Sequence, residues 1–348
     1  MLDTKISPDG NENLILGRGA FDCGICVTFG VFDGVHVGHD AVIKAFIREA
    51  RTRGLHPTLI KIEFESDAPF TREKLLTPGA ESIELLRRYA PIDIVVARLS
   101  GDDALMSPEN FLREYILHGR NVKAVVAGEN CRFSFNADGG THTIKKLART
   151  HGYAPVIIDA VEPAISADLT RGAQSSINAD LLRDATPLVN VDLVYGAMPP
   201  VSADLIRGAL SAGDAQAAGR MLGRRYTLRG EVVRGNRLGR GVGMPTANVF
   251  VPADKFLPAY GVYATVAKLD GAEYASLTHI GVKPTVDPSS APTIETHILD
   301  FYGDIYSKTL TVELIAYIRE TRKFDSLAEV KKQVDADIKR ARGYFANL

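Results

Sequence analysis

The chain has 348 residues, 45% of them apolar and 24% charged, a balance ordinary for a globular protein with room for two or three domains. A formal net charge of −1 gives no global footprint for nucleic acid, and no apolar run is long enough to span a membrane, so both of those classes are set aside. The opening residues MLDTKISPDGNENL are polar and acidic rather than basic and then apolar, unlike a secretory signal or a transit peptide. They read as a tail over 1–22, and the cytoplasm is the expected location.

Cys23 and Cys26 have the spacing of a redox dithiol or of half a zinc site. The pair runs into an apolar strand pattern, no second CxxC follows, and Cys131 has no His at motif spacing, so buried reduced thiols are expected. Ile25–Phe29 reads as a strand and Asp40–Arg53 as a helix. Between them lies Phe29-Gly-Val-Phe-Asp-Gly-Val-His-Val-Gly-His39, a glycine-rich turn from a strand end to a helix start. Gly30, Gly34 and Gly38 allow the backbone to approach a ligand, and the helix N-terminus offers unpaired N–H groups with a partial positive charge. Such a place suits phosphate. His36 and His39 stand three apart, share a face if the helix begins near them, and can then reach the same anion. The same spacing also fits a tight turn with two capping histidines.

Further along come Thr58–Phe64 (strand), Ala80–Tyr89 (helix), Ile92–Ala97 (strand) and Pro108–Leu117 (helix, with Ser107 as N-cap). Val122–Ala127 (strand), Thr143–His151 (helix) and Val156–Val161 (strand) complete the series. Alternation of this kind predicts a parallel sheet with helices on both faces and ligands at the carboxyl ends of its strands. Gly30 follows the first strand and Gly128-Glu-Asn130 the fourth, so the two are expected to face one crevice.

Residues 165–212 repeat with a period of 12: ISADLTRGAQSS, INADLLRDATPL, VNVDLVYGAMPP and VSADLIRGALSA. Each unit reads as an N-cap with a turn or two of helix, too short to bury a core. The array reads as a tandem expansion into a surface insertion, with closing helices up to residue 222. From Tyr226 the character changes. Tyr226–Val233, Gly261–Leu269, Tyr274–Ile280, Thr293–Leu299 and Leu310–Ile318 are strand-like, Asp270-Gly271 is a hairpin signal, and Ser326–Tyr344 is a charged amphipathic helix. Adjacent strands without intervening helices predict an antiparallel sheet or small barrel closed by that helix.

Between the first strands of this second half, Arg234–Asn248 carries four glycines and three arginines in fifteen residues, including Gly239, Arg240 and Gly243. Such a loop can fold over a polyphosphate with backbone donors and positive charge. Pro245 then fixes a turn, and Thr246 and Asn248, two apart in extended chain, point oxygen atoms to one side, a donor set suited to Mg2+. A turn capped by its own side chains has the same composition. In Thr293–Ile298, period-two alternation puts Thr293, Glu295 and His297 on one face. Facing a cleft, Glu295 would be partly desolvated and suited to accept a hydroxyl proton; facing solvent, it would be an ordinary surface carboxylate.

These residues resemble those of the bifunctional bacterial riboflavin kinase/FAD synthetase family. The resemblance rests on TFGVFDGVHVGH and GEN in the first half, and on GVGMPTANV, LPAYGVYA, HIGVKPTV, IETHILDF, DIYSKTLTVELIAYIRE and KFDSLAEVKKQVDADIKRAR in the second. It covers nearly all of the chain except the tail and the repeat. It implies an N-terminal Rossmann-like parallel-sheet nucleotidyltransferase domain over 23–164 and a C-terminal six-stranded antiparallel β-barrel kinase domain over 223–348 with a C-terminal helix. It further implies that ATP is bound by Gly30, Phe32, Asp33, Gly34, His36, Gly38, His39, Asn130, Ser202 and Arg207 in the first. In the second, Gly239, Arg240, Gly243, Pro245, Thr246, Asn248 and Arg319 are implied to hold ATP or flavin, Thr246 and Asn248 to hold the metal, and Glu295 to act as base. Riboflavin, FMN and ATP are then the small-molecule partners, with FAD as final product and neither nucleic acid nor membrane required.

Three stretches depart from the family pattern. Glu65-Ser-Asp-Ala-Pro69 stands where a Pro-His-Pro-like turn is usual, Arg132-Phe-Ser-Phe-Asn136 where an aromatic stretch ends in glycine, and Ser202-Ala-Asp-Leu-Ile-Arg207 where a Ser-Ser-Thr-x-x-Arg phosphate segment is usual. Two other readings follow from them: a riboflavin kinase whose first domain has lost adenylyl transfer, and a first domain that only senses nucleotide or flavin, with the repeat as a partner surface.

Overall fold

A computed structural model describes residues 23–65, 74–89, 91–134, 138–161, 200–234, 244–282 and 292–345, and every structural statement below concerns these. The tail, nearly all of the first three repeat copies, most of the turn after Glu65 and the stretch holding Gly239, Arg240 and Gly243 lie outside them.

Five strands, β1 (Ile25–Gly30), β2 (His56–Phe64), β3 (Asp93–Leu99), β4 (Val122–Gly128) and β5 (Ala154–Ile158), form the expected parallel sheet in the order β3-β2-β1-β4-β5. Both faces are covered, which is why the strands are apolar almost throughout. Helix α1 (Val37–Arg53) and α2 (Gly79–Leu86) cover one face, with Phe46 and Leu86 on Cys26 and Leu59. On the other face the core of Val27, Phe29 and Ile60 meets Phe111 and Ile144. The short α3 (Gly101–Ala104), held by a Ser100/Asp103 capping box, carries no apolar periodicity and was not foreseen. The predicted helix from Pro108 splits into α4 (Pro108–Phe111) and a π-turn over Leu112–Leu117. Ser107 caps it as expected, accepting from the Asn110 N–H. After α5 (Thr141–His151), β5 begins earlier than predicted and takes in Pro155, which an edge strand tolerates.

The thiols are reduced, but only Cys26 is fully buried; burial pushes it up to about 12, whereas Cys23 is exposed, contrary to expectation. Across the first three repeat copies the chain meets itself, the N–H of Val201 at the start of the fourth copy donating to the Val161 carbonyl at 3.1 Å. Two helices, α6 (Ala203–Ser211) and α7 (Ala215–Leu222), then lead into the second body.

There β6 (Thr227–Val233), β7 (Ala247–Phe250), β8 (Gly261–Leu269), β9 (Ala272–Gly281), β10 (Thr293–Ile298) and β11 (Thr309–Arg319) close an antiparallel barrel in the order β10-β7-β6-β11-β8-β9. The four-residue β7 is the strand that periodicity missed, being too short between the glycine-rich loop and Pro252 to show alternation. Asp270 and Gly271 both take positive φ, 50° and 84°, as a type I′ hairpin requires. Helix α8 (Leu327–Phe345) sets Ala341 against Val262, Ala264 and Ile318 on the outside of the barrel.

A chain of hydroxyls runs through the barrel interior. Thr296, Thr278, Thr265 and Ser276 are linked Oγ to Oγ at 3.0, 2.9 and 2.8 Å, and Ser276 donates to the Thr265 carbonyl at 3.0 Å. A hydroxyl has one proton, so this last bond fixes the direction of all the others: Thr265 donates to Ser276, Thr278 to Thr265, and Thr296 to Thr278. Four buried polar side chains are thereby satisfied inside an apolar core.

The two bodies are joined by the segment leading into α2. The Leu75 N–H donates to the Asp254 carbonyl at 2.7 Å and the Phe256 N–H to the Leu75 carbonyl at 2.8 Å. Lys255, 1% exposed, sends its ammonium to the Leu76 carbonyl at 2.6 Å and to Glu81 Oε2 at 2.7 Å, and lies 4.6 Å from the Tyr226 ring centroid. Glu81 also accepts from the Thr227 hydroxyl at 2.8 Å. Burial lowers the Lys255 pKa, and Glu81 beside it opposes that shift.

Candidate active sites

The first crevice is assembled at the carboxyl ends of β1 and β4, the point where the strand order reverses. His36 is the N-cap of α1, its Nδ1 accepting from the His39 N–H at 3.4 Å, and the two imidazoles stack with centroids 3.8 Å apart. They therefore share a face, as their spacing predicts. Burial, with Arg224 nearby, pulls His36 down to about 4 and His39 well below its usual value. Both rings are neutral at physiological pH and offer N–H donors to an anion, not full charges. His39 Nδ1 is buried with no hydrogen-bond partner among the described residues.

Two of the glycines are required by the turn itself. Gly34 takes φ 81°, and a methyl group there would stand 2.9 Å from Leu76 Cδ1 and 3.3 Å from Leu222 Cδ2. At Gly38 a methyl would meet the His36 ring at 3.1 Å. Phe32 and Val35 take φ of 52° and 40°, a conformation that costs a bulky side chain about 1–3 kcal/mol. Phe32 is buried behind the His39 ring at 5.2 Å between centroids. Asp33 is buried too, accepting from the Thr77 N–H at 3.0 Å and pairing with Arg207 at 2.6 Å. Asn130 is exposed just past β4.

Helix α6 brings a second N-terminus beside that of α1, since a methyl on Gly38 would lie 3.6 Å from the Val201 carbonyl. Ser202 caps α6, accepting from the Leu205 N–H at 3.3 Å. Asp204, 77% exposed, pairs with Arg207 at 2.8 Å. Arg207 is thus shared between two carboxylates, and Asp204 in the first turn also complements the helix dipole.

A pH dependence follows. His36 has its folded pKa below its unfolded one of about 6.5, so the unfolded chain binds the extra proton as pH falls. Stability is therefore full above about 6.5 and declines until about 4, and His39 acts in the same direction. Thermal unfolding at pH 7 and pH 5 should show a smaller drop for His36→Asn than for the parent chain; equal drops would remove His36 as the cause.

The second crevice lies at one end of the barrel, a cleft of about 400 Å³ lined by Thr246, Asn248, Thr296, Phe301, Tyr302 and Tyr306 among others. Pro245 and Thr246 are steered into it by His297, whose Nδ1 lies 2.9 Å from the Pro245 carbonyl. Asn248 stands directly across from Glu295, and Glu295 directly across from His279. Opposed residues share a face with Cβ atoms about 4.5–5.5 Å apart, so the three form a row along the outer barrel wall. Glu295 does not line the cleft itself; Asn248 belongs to both cleft and row. His279 is bonded to Thr321 Oγ1 at 3.0 Å, and burial lowers its pKa while Glu295 opposes the shift.

Arg319 is bonded to α8 and to its own loop. Its Nε and Nη2 each approach Asp337 Oδ2 on α8 at 2.9 Å, and its Nη1 donates to the Glu320 carbonyl at 2.9 Å. This guanidinium pins α8 to β11. Thr77, Arg224, Lys255 and Asp337 were missed by sequence reading, for they act through partners far along the chain; a local trace is the family match of the segment that carries Asp337.

Two family models match, FAD synthetase over residues 20–167 and riboflavin kinase over residues 222–345. Each falls on one of the two bodies and includes most of its crevice. The chain belongs to the FAD synthetase family in its first part and to the riboflavin kinase family in its second. A relative from Bacillus subtilis, named bifunctional riboflavin kinase/FMN adenylyltransferase, is 29% identical over 92% of this chain and 93% of its own. Relatives of the same name from Pseudomonas fluorescens and Escherichia coli K12 are 28% and 27% identical, over 93% and 92% of this chain and 94% and 93% of theirs. Among solved structures, one described as a macrolide-efflux protein from Streptococcus pneumoniae superposes with a TM-score of 0.71 at 24% identity, over 92% of this chain and 94% of that one. That likeness shows the shared two-body fold.

Proposed function

We propose that the chain phosphorylates riboflavin to FMN in the barrel and adenylylates FMN to FAD in the first crevice, each with ATP. What carries this reading is that one chain joins both families end to end, each on a body with its own crevice. In the barrel, the 5′-hydroxyl of riboflavin attacks the γ-phosphorus of ATP and its proton passes to Glu295; ADP leaves. The Thr246 hydroxyl and the Asn248 amide, on one face beside a carboxylate, are hard oxygen donors that fit Mg2+. Bound there, Mg2+ supplies charge neutralisation on the phosphates. Gly239, Arg240 and Gly243 belong to the loop proposed to cover them.

In the first crevice, a phosphate oxygen of FMN attacks the α-phosphorus of a second ATP and pyrophosphate leaves. The nucleophile is already anionic, so positioning and hydrogen-bond donation suffice, and two helix N-termini with two neutral imidazoles supply the donors. The unpartnered His39 Nδ1 supports a bound ligand at this place. Gly30, Gly34 and Gly38 shape the turn, with Asn130 and Ser202 at its rim. Among the described residues no helix is long and apolar enough to cross a membrane. The proposed work is on small molecules in the cytoplasm.

Purified protein given riboflavin, ATP and Mg2+ should yield FMN and then FAD when flavins are resolved by chromatography. No FMN would overturn the kinase reading, and FMN without FAD would leave a monofunctional kinase. Changing Ala203→Ser with Asp204→Thr frees Arg207 of one carboxylate and adds hydroxyl donors at the start of α6. FAD formation should rise several-fold; no change would mean this segment does not touch the phosphates.

A further inference from the structure

The turn Phe32–His36 holds two bulky residues at positive φ, and what holds the turn comes from outside the first sheet. Arg224 lies in the part of the chain that matches riboflavin kinase, just before β6. Its Nη2 donates to the Gly34 carbonyl at 2.6 Å, and its Nη1 to the Val35 carbonyl at 3.0 Å and the Leu222 carbonyl at 3.2 Å. From the other side, Thr77 Oγ1 accepts from the Gly34 N–H at 2.8 Å. Gly34 is gripped through both of its backbone polar groups. A trans peptide sets its N–H opposite its C=O, so drawing the Val35 carbonyl to Arg224 aims the His36 N–H away from it, at the start of α1.

We propose that Arg224 is a positioning residue for adenylyl transfer, a planar fork from the barrel side that fixes the phosphate turn of the first domain by its two carbonyls. The inference rests on the reading of the first crevice given above. A fork can hold two carbonyls at once in fixed geometry, which an ammonium on a flexible stem does less well. Burial holds His36 and His39 below their usual pKa, and the guanidinium beside them adds to that shift. Arg224 touches no substrate in this account; it acts through the turn.

The test uses the full chain with Arg224→Leu, Arg224→Lys and Thr77→Val, measuring FAD formation from FMN and FMN formation from riboflavin in the same preparations. Misplacing reacting groups by an ångström lowers rates about 100-fold, and a loss of that order in kcat for FAD formation is expected for Arg224→Leu. FMN formation should stay within about twofold, because the kinase groups lie elsewhere on the barrel. Arg224→Lys should recover part of the loss, and Thr77→Val should lower FAD formation in the same direction. Unchanged FAD formation in Arg224→Leu would overturn the proposal. So would a parallel fall of both activities, the mark of a purely structural role. A parent chain that makes no FAD would instead overturn the reading of the crevice itself.

Discussion

Replacing Glu295 with Gln should lower FMN formation from riboflavin by about 10²–10⁴-fold, the usual worth of a positioned general base. FAD formation from supplied FMN should be unaffected. The substitution keeps size and hydrogen-bonding capacity, so the cross-strand row with Asn248 and His279 stays in place while the proton acceptor is lost. Equal loss of both activities would contradict two separate sites. His279 is the competing base, since burial keeps it neutral and it stands directly across from Glu295. Should Glu295→Gln remain active while His279→Asn does not, the base is the imidazole.

Lys255→Met is expected to lower stability by about 3–5 kcal/mol, the cost of breaking a buried ion pair by removing one partner. The Leu76 carbonyl and one Glu81 oxygen would each lose a donor, and the Tyr226 ring its cation. A melting temperature lower by roughly 10 °C in calorimetry follows from that figure. The neutralising double change Lys255→Met with Glu81→Gln should recover part of the loss, because no uncompensated charge then remains. A shift below about 2 °C for Lys255→Met would mean that the pair is solvated and the junction loose.

Much of this architecture was legible locally. Strands buried on both faces announce themselves as apolar runs, as Ile25–Gly30 and Val122–Gly128 do, and Asp270-Gly271 names its own turn. Elements without a periodic signal were lost: α3 rests on a capping box, and β7 is four residues long. In the sites, the His36/His39 pair follows from its spacing of three, whereas the alignment of Asn248 with Glu295 depends on the register of β7 against β10, which no local spacing carries. What could not be read is which group each residue faces. Gly34 leaves room for Leu76 and Leu222, and Asp204, in the segment that departs from the family pattern, is an exposed partner of Arg207. Arg319 is paired with Asp337, and no local pattern announces a partner on another element.

The grip of Arg224 on Gly34 spans 190 residues of sequence, which gives the molecule an order of completion. A ribosome adds about 5–20 residues per second, so the turn emerges roughly 10–40 s before the arginine that holds it. During that interval the strands already made can pair and Thr77 can hold the Gly34 N–H, but the Gly34 and Val35 carbonyls lack their anchor. A nascent chain would therefore complete this turn only as the barrel begins to appear, and a fragment ending before residue 224 is expected to form no FAD from FMN.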